Sequence, residues 1–260
     1  AKLLGYDSAD ELQRFMRPGH DAGAPYVEIT IPKAKGGQRR IWAPKAELKR
    51  IQRTLLDSVF SKLPVHDAAH GFIPGRSTVT NAEPHQGALV IVKMDLADFF
   101  PSIHYHRVKG LLLYYGYEDE VASLLAGLTT HRPKLDDGRV VWPGILPQGA
   151  PTSPVLANLV CRRLDARLTG FATKVAATYT RYADDLTFSF AAEPEKGLGH
   201  VFWWIDEICV QEGFRENLRK RRVIRSNNQQ RVTGIVVNST LTVPRDARRR
   251  FRAILHNCRT

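Results

Sequence analysis

Asp184 and Asp185 stand side by side in Tyr182-Ala183-Asp184-Asp185, between two runs that alternate like β-strands. Thr178 to Ala183 reads as one strand and Leu186 to Phe190 as the next, with Leu186, Phe188 and Phe190 on one face, so the acids fall at a hairpin turn. Like charges at a tight turn repel and gain nothing from a core, and a hard divalent cation such as Mg²⁺ offsets that cost through carboxylate oxygens. Alone, such a pair is ordinary turn chemistry. A third acid changes its weight. Ala88-Leu89-Val90-Ile91-Val92 is a short apolar run suited to a buried strand, and it leads through Lys93 and Met94 to Asp95 at the strand's carboxyl end. If this strand lies beside the hairpin, three carboxylates converge, as needed for two metal ions that hold a nucleoside triphosphate and a primer hydroxyl.

The elements around these acids follow from turn chemistry and periodicity. Beyond Asp95, Pro101 and Ser102 suit the opening turn of a helix. Leu146-Pro147-Gln148-Gly149-Ala150-Pro151-Thr152-Ser153-Pro154 reads as a shaped loop entering another, with Ser153 as N-cap, Pro154 in the first turn, and Val155, Leu156, Leu159, Val160, Leu164 and Leu168 as its buried stripe. A helix start explains Ser153 and Pro154 but not Gln148-Gly149. Ala46 to Leu63 is an amphipathic helix with Leu48, Ile51, Leu55, Val59 and Leu63 on its core side. Ahead of it, Lys33-Ala34-Lys35-Gly36-Gly37 forms a cationic hairpin tip before Gln38-Arg39-Arg40. Phe202 to Ile208 marks a helix whose tryptophans, Trp203 and Trp204, read as packing anchors, and Val232 to Asn238 reads as a closing strand. The second acidic pair, Asp136-Asp137-Gly138, lies in a hydrophilic loop that turn chemistry explains without a metal.

Composition narrows the class of partner. The 260 residues are 43% hydrophobic and 25% charged, ordinary for a soluble globular chain, and no apolar run approaches a membrane span. Cys161, Cys209 and Cys258 are widely spaced, against a zinc site or disulfide framework and in keeping with a reducing cytoplasm. The histidine pairs His104/His106 and His66/His70, without cysteines or nearby acids, read as solvated or capping residues. The net charge of +12 suits a polyanion, and thirteen Lys or Arg against two acids between Arg215 and Thr260 carry nearly all of it.

Taken together, the Asp95 element, the Gln148-Gly149 loop and the Asp184-Asp185 turn resemble the palm motifs of reverse transcriptases, in the family's order, from the Arg39 region to Val232-Thr233-Gly234. Within that family, Asn81-Ala82-Glu83-Pro84-His85 and Val232-Thr233-Gly234 resemble the Asn-Ala-x-x-His and Val-Thr-Gly signatures of the bacterial retron enzymes. The resemblance implies an α+β right-hand polymerase fold, its antiparallel palm sheet packed on helices. Residues 1–87 and 108–143 would be fingers, 88–107 and 144–243 palm, and 244–260 the start of a thumb, most of which the 26 residues after Gly234 leave no room for.

The implied activity is RNA-directed DNA polymerisation. Asp95, Asp184 and Asp185, with the Leu96 carbonyl, would hold two Mg²⁺ ions. Lys35 and Arg39 would meet the triphosphate, although Arg40 is adjacent and Lys35 also reads as a solvated tip. The amides of Asp98 and Phe99 would cradle phosphate, Gln148 and Gly149 would line the nucleotide pocket, and Phe100 would exclude a ribose 2′-hydroxyl unless it packs in the core. Lys220 would protonate the leaving pyrophosphate or act on it electrostatically. RNA contacts fall to Arg76, Asn81, His85, Arg221, Arg222, Arg248 and Arg249, while a capped helix with its histidine equally explains Asn81 and His85. Retron enzymes use a structured noncoding RNA as template and primer, start from a guanosine 2′-hydroxyl, make a branched RNA-DNA product, and often serve in phage defence with an effector protein. Two alternatives stand beside this reading: another bacterial reverse transcriptase, from a group II intron or a defence system, and a non-catalytic RNA-binding scaffold, which has no need of mutually repelling acids.

Overall fold

A computed structural model describes residues 1–16, 25–32 and 36–258. In chain order the helices are α1 (Asp10–Gln13), α2 (Ala46–Ser58), α3 (Thr78–Ala82), α4 (Tyr105–Tyr114), α5 (Asp119–Thr129), α6 (Ser153–Val160), α7 (Arg162–Lys174), α8 (Gly197–Gln211) and α9 (Arg245–Asn257). The strands are β1 (Tyr26–Pro32), β2 (Gln38–Pro44), β3 (Val90–Asp95), β4 (Ala177–Tyr182), β5 (Asp185–Phe190), β6 (Arg222–Arg225), β7 (Arg231–Val232) and β8 (Ile235–Val236). They form two compact units, one of residues 1–65 and 98–162, the other of 66–97 and 163–260. Residues 66–87 therefore pack with the sheet that carries Asp95, and residues 144–162 with the first unit.

In the first unit, β1 and β2 form an antiparallel ribbon with Tyr26 opposite Pro44 and Pro32 opposite Gln38. Lys35 lies outside the described residues. Leu48, Ile51 and Leu55 of α2 are buried as their spacing predicts, and so is Gln52, whose Nε2 donates to Tyr26 Oη and to the Leu128 carbonyl, both at 2.8 Å. The helix stops at Ser58 rather than Leu63, because Val59 leaves helical geometry (φ −122°, ψ −68°) and turns the fully buried Phe60 inward. Pro101 and Ser102 do not open a helix either. Asp98 has φ +45°, and the turn it starts, closed by the Ser102 amide on the Asp98 carbonyl, delays α4 until Tyr105. The stripe from Val155 to Leu168 is shared between α6 and α7 instead of lying on one helix.

The second unit is built on an antiparallel sheet in the order β4-β5-β3-β6. With side chains alternating across a strand, one face carries Val90, Val92 and Met94 opposite Phe190, Phe188 and Leu186, with Tyr179 and Arg181 beside them from β4. All are buried. The other face carries Ile91, Lys93 and Asp95 with Ser189, Thr187 and Asp185. Here Ile91 joins Ala82, Ala88, Val232 and Val237 in a small core. The expected closing strand at 232–238 is instead the short β7–β8 hairpin, reversed where Thr233 takes φ +45°. α8 buries Val201, Ile205, Ile208 and Cys209, whereas Trp203 and Trp204 are 58% and 40% exposed, with Trp204 meeting buried Phe171 at 6.4 Å between ring centres. No described helix is long and apolar enough to cross a membrane.

Candidate active site

The hairpin joining β4 to β5 has a two-residue loop, Ala183-Asp184, with Tyr182 opposite Asp185, so Asp185 belongs to the strand and only Asp184 projects from the turn. Ala183 sits at φ +56°, a left-handed conformation that costs a non-glycine residue about 1–2 kcal/mol. Its carbonyl accepts from Arg181 Nη1 at 3.0 Å. Arg181 is itself fully buried, its Nε and Nη2 on the two oxygens of buried Asp165 at 2.8 and 2.7 Å, where Tyr179 Oη also donates at 2.9 Å. A buried ion pair of this kind contributes little net stability over apolar packing but a great deal of geometry. Nothing in the sequence pattern marks it, since Asp165 and Arg181 sit where core residues are expected.

Asp95 ends β3 directly opposite Asp185, and the Leu96 amide donates to the Asp184 carbonyl at 2.9 Å, so all three acids gather at one end of the sheet. Segment 214–220 runs back along this end: the Ala97 amide donates to Arg215 O at 2.8 Å, and the Asn217 amide to Asp95 O at 2.7 Å. That pairing delivers Lys220, whose Nζ lies 2.8 Å from both carboxylate oxygens of Asp95. Lys93, two residues before Asp95 on the same face, stands 3.1 Å from Asp185 Oδ2. Burial, and next the charge of Asp95, raise the Asp184 carboxyl above its ordinary range. Burial raises Asp185 as well, with Lys93 pulling the other way. Among the described residues no three His, Cys, Asp or Glu side chains close around one point, and Lys220 and Lys93 stand on Asp95 and Asp185. The donor set is nevertheless the all-oxygen kind that suits a hard divalent ion, and the acids are costly without cationic partners.

The other residues singled out by sequence divide between the units. In the first, Arg39 is exposed on β2, while its neighbour Arg40 is engaged by Glu28 at 3.4 Å and by Asp136. Phe99 is buried and Phe100 half-buried, their rings 5.3 Å apart edge to face, so Phe99 takes the core position. Gln148 O accepts from the Trp42 amide at 2.8 Å, and at Gly149 (φ +123°) a Cβ would stand 2.5 Å from Ile41 Cγ2. The dipeptide thus approaches β2 closely. Thr152 occupies the N-cap position expected of Ser153, whose Oγ instead donates to Pro147 O at 2.6 Å and ties the loop together.

In the second unit several expected RNA ligands face inward. Asn81 and His85 are fully buried and have their partners inside the protein. Asn81 Nδ2 donates to Thr233 Oγ1 at 3.4 Å, and Thr233 Oγ1 donates to Thr78 O at 2.9 Å, which joins the two signatures into one structural cluster. Arg221 is bound through Nε to Glu216 at 2.8 Å and lies over the Phe202 ring at 4.3 Å. Arg76 is spent on backbone carbonyls. Arg222, Arg248 and Arg249 are exposed.

Residues 31–237 match the family model described as reverse transcriptase (RNA-dependent DNA polymerase). The chain belongs to the reverse transcriptase family. Curated relatives of this reverse transcriptase chain include the retron Mx162 and Mx65 reverse transcriptases of Myxococcus xanthus, 46% and 48% identical over 99% and 89% of the chain. The retron Ec86 reverse transcriptase of Escherichia coli is 35% identical, the match covering 89% of this chain and 69% of that protein. The chain spans 57% and 55% of the two Myxococcus proteins. Among solved structures, telomerase from Candida tropicalis in complex with a fragment of telomeric RNA superposes with TM-score 0.56 at 12% identity, over 84% of this chain and 44% of that one. At such identity the likeness establishes the fold, that of a polymerase of reverse transcriptase type.

Proposed function

We propose that this chain carries the nucleotidyl-transfer centre of a retron reverse transcriptase, which extends a primer hydroxyl with deoxynucleotides on an RNA template. The observation that carries this reading is Asp95 opposite Asp185, with Asp184 in the adjoining turn, inside the segment that matches the family. Asp95, Asp184, Asp185 and the Leu96 carbonyl would hold two Mg²⁺ ions, which when bound activate the primer hydroxyl and neutralise the triphosphate. Burial raises the carboxyls of Asp184 and Asp185, and it is their deprotonated form that serves as a ligand. Lys220, now on Asp95, holds a positive charge and a transferable proton at Nζ, suited to a leaving pyrophosphate.

Nucleotide-binding roles are proposed for Lys35, Arg39, Gln148, Gly149 and the amides of Asp98 and Phe99, with half-buried Phe100 excluding a 2′-hydroxyl. Arg222, Arg248 and Arg249 would track RNA phosphates. By the same resemblance to retron enzymes, the proposal extends to a structured noncoding RNA as template and primer, a branched RNA-DNA product, and a cytoplasmic role in phage defence with an effector protein. Against a non-catalytic scaffold stand three acids kept close together at a cost.

Primer extension on an RNA template with Mg²⁺ and deoxynucleotides tests the central claim. Wild-type chain should extend, Asp184→Ala should lose at least about 100-fold in rate, and ribonucleotides should compete poorly unless Phe100 is replaced by Ala. Equal extension by Asp184→Ala, or none by wild type in the full-length protein with its cognate RNA, would end the catalytic reading.

A further inference from the structure

Arg76 belongs to the segment 66–76, which lies along the free edge of β4. The Arg181 amide donates to Ala68 O at 2.7 Å, the His70 amide donates to Arg181 O at 2.8 Å, and Ala69 bridges Arg181 in parallel. One residue further on, a Cβ on Gly71 would stand 2.9 Å from the Ala183 nitrogen and 3.3 Å from the Tyr182 ring. The segment's backbone is thus in contact with the first residue of the turn that bears Asp184. Phe72 follows at φ +62°, its ring 6.2 Å from that of Tyr182. A bulky side chain held in the left-handed region marks a backbone whose shape is imposed by its surroundings.

Arg76 imposes much of that shape. Its Nη1 donates to the carbonyl oxygens of Ala69, Asp67 and His66 at 2.5, 2.8 and 3.1 Å, and its Nη2 pairs with Asp67 Oδ1 at 2.9 Å. The group spans two places, three backbone carbonyls at Nη1 and the Asp67 carboxylate at Nη2, and a planar guanidinium reaches both through two fixed nitrogens where a single ammonium has its donors at one atom. On the inner side Arg181 grips the Ala183 carbonyl and is itself fixed by Asp165. The turn is therefore held between a buried ion pair and an external buttress.

We infer that Arg76 is a positioning residue: it clamps the 66–71 segment into the form that sets the Ala183-Asp184 turn, and so the place of the Asp184 carboxylate, rather than binding an RNA phosphate. The inference rests on Asp184 as a catalytic acid only for its kinetic consequence. Its geometric content stands without that reading.

The test compares wild type with Arg76→Ala, Arg76→Lys and Gly71→Ala. Gly71→Ala adds one methyl against the turn and changes no charge. Amide hydrogen exchange over 180–186 is measured without metal or nucleotide, alongside single-nucleotide kcat and KM and the salt dependence of RNA binding. The clamp predicts exchange about tenfold or more faster in all three variants, kcat lower by about 100-fold for a turn displaced by about 1 Å, and a deoxynucleotide KM, RNA affinity and salt slope like wild type. Lys should not rescue. Rescue by Arg76→Lys with a reduced salt slope in Arg76→Ala, or wild-type exchange in Gly71→Ala, would overturn the clamp. If no variant and no wild type extended a primer, exchange and RNA binding would still decide the clamp, so its failure and that of the polymerase reading remain distinct.

Discussion

His85 shows how a polar side chain can serve a sheet from inside it. Its Nδ1 lies 2.7 Å from Ser189 Oγ on β5 and its Nε2 2.7 Å from Thr180 Oγ1 on β4. A neutral imidazole meets both, donating at one nitrogen and accepting at the other. Burial, with a smaller contribution from His70, pushes its pKa down to about 3. The unfolded chain protonates this histidine near its ordinary 6.5 while the folded chain does not. The stability it contributes is therefore fully present above about pH 6.5 and is lost as pH falls toward about 3, by up to roughly 1.4 kcal/mol per pH unit. Urea unfolding of His85→Gln should show lower stability at neutral pH, by about 1–2 kcal/mol for the lost hydrogen bonding, and a flatter decline between pH 6.5 and 4.5. Parallel declines in variant and wild type would mean that His85 does not titrate across the transition.

Two elements press on each other where the loop before α6 touches β2. Gly149 has φ +123° and leaves no space for a Cβ, with Ile41 Cγ2 at 2.5 Å and Trp42 O at 3.1 Å. The adjacent Gln148 carbonyl is already committed to the Trp42 amide, so the loop cannot withdraw without losing that bond. Gly149→Ala should therefore destabilise the protein by about 1–3 kcal/mol, as overpacking and backbone strain do elsewhere. Adding Ile41→Ala, which removes the contacting Cγ2, should recover only part of that loss, because the Trp42 carbonyl and the backbone conformation remain. Denaturant midpoints of the single and double variants measure this, and a neutral Gly149→Ala would show that the loop does not press on β2.

Over the whole molecule the dominant feature is charge. The excess of Lys and Arg after Arg215 is displayed largely on exposed side chains, including Arg222 on β6 and the arginines of α9, which buries none of its residues. Each phosphate contact to single-stranded RNA contributes about 0.7 to the slope of log affinity against log salt. Replacing Arg222, Arg248 and Arg249 by Gln should reduce the slope by roughly 2, read by fluorescence anisotropy over a salt series. An unchanged slope would remove these residues from the RNA surface. Replacing Arg221, held by Glu216 and Phe202, should change the slope far less.

What the sequence by itself determined were features encoded by neighbours in the chain. The apolar run before Asp95, the alternation on either side of Asp184-Asp185 and the basic C-terminal stretch are local patterns, and they suffice for the strands, the hairpin and the sign of the surface. The tertiary structure alone decided which polar residues face the core. His85 finds Ser189 and Thr180, Arg181 finds Asp165, and Lys220 finds Asp95 across 125 residues of sequence. Arg76 had the appearance of a nucleic-acid ligand because a loop arginine and a clamping arginine are identical in sequence. The difference lies in three carbonyls that fold to meet it. Burying a polar group is tolerable only once its partner is in place, and that partner is supplied by chain topology, which local pattern does not carry.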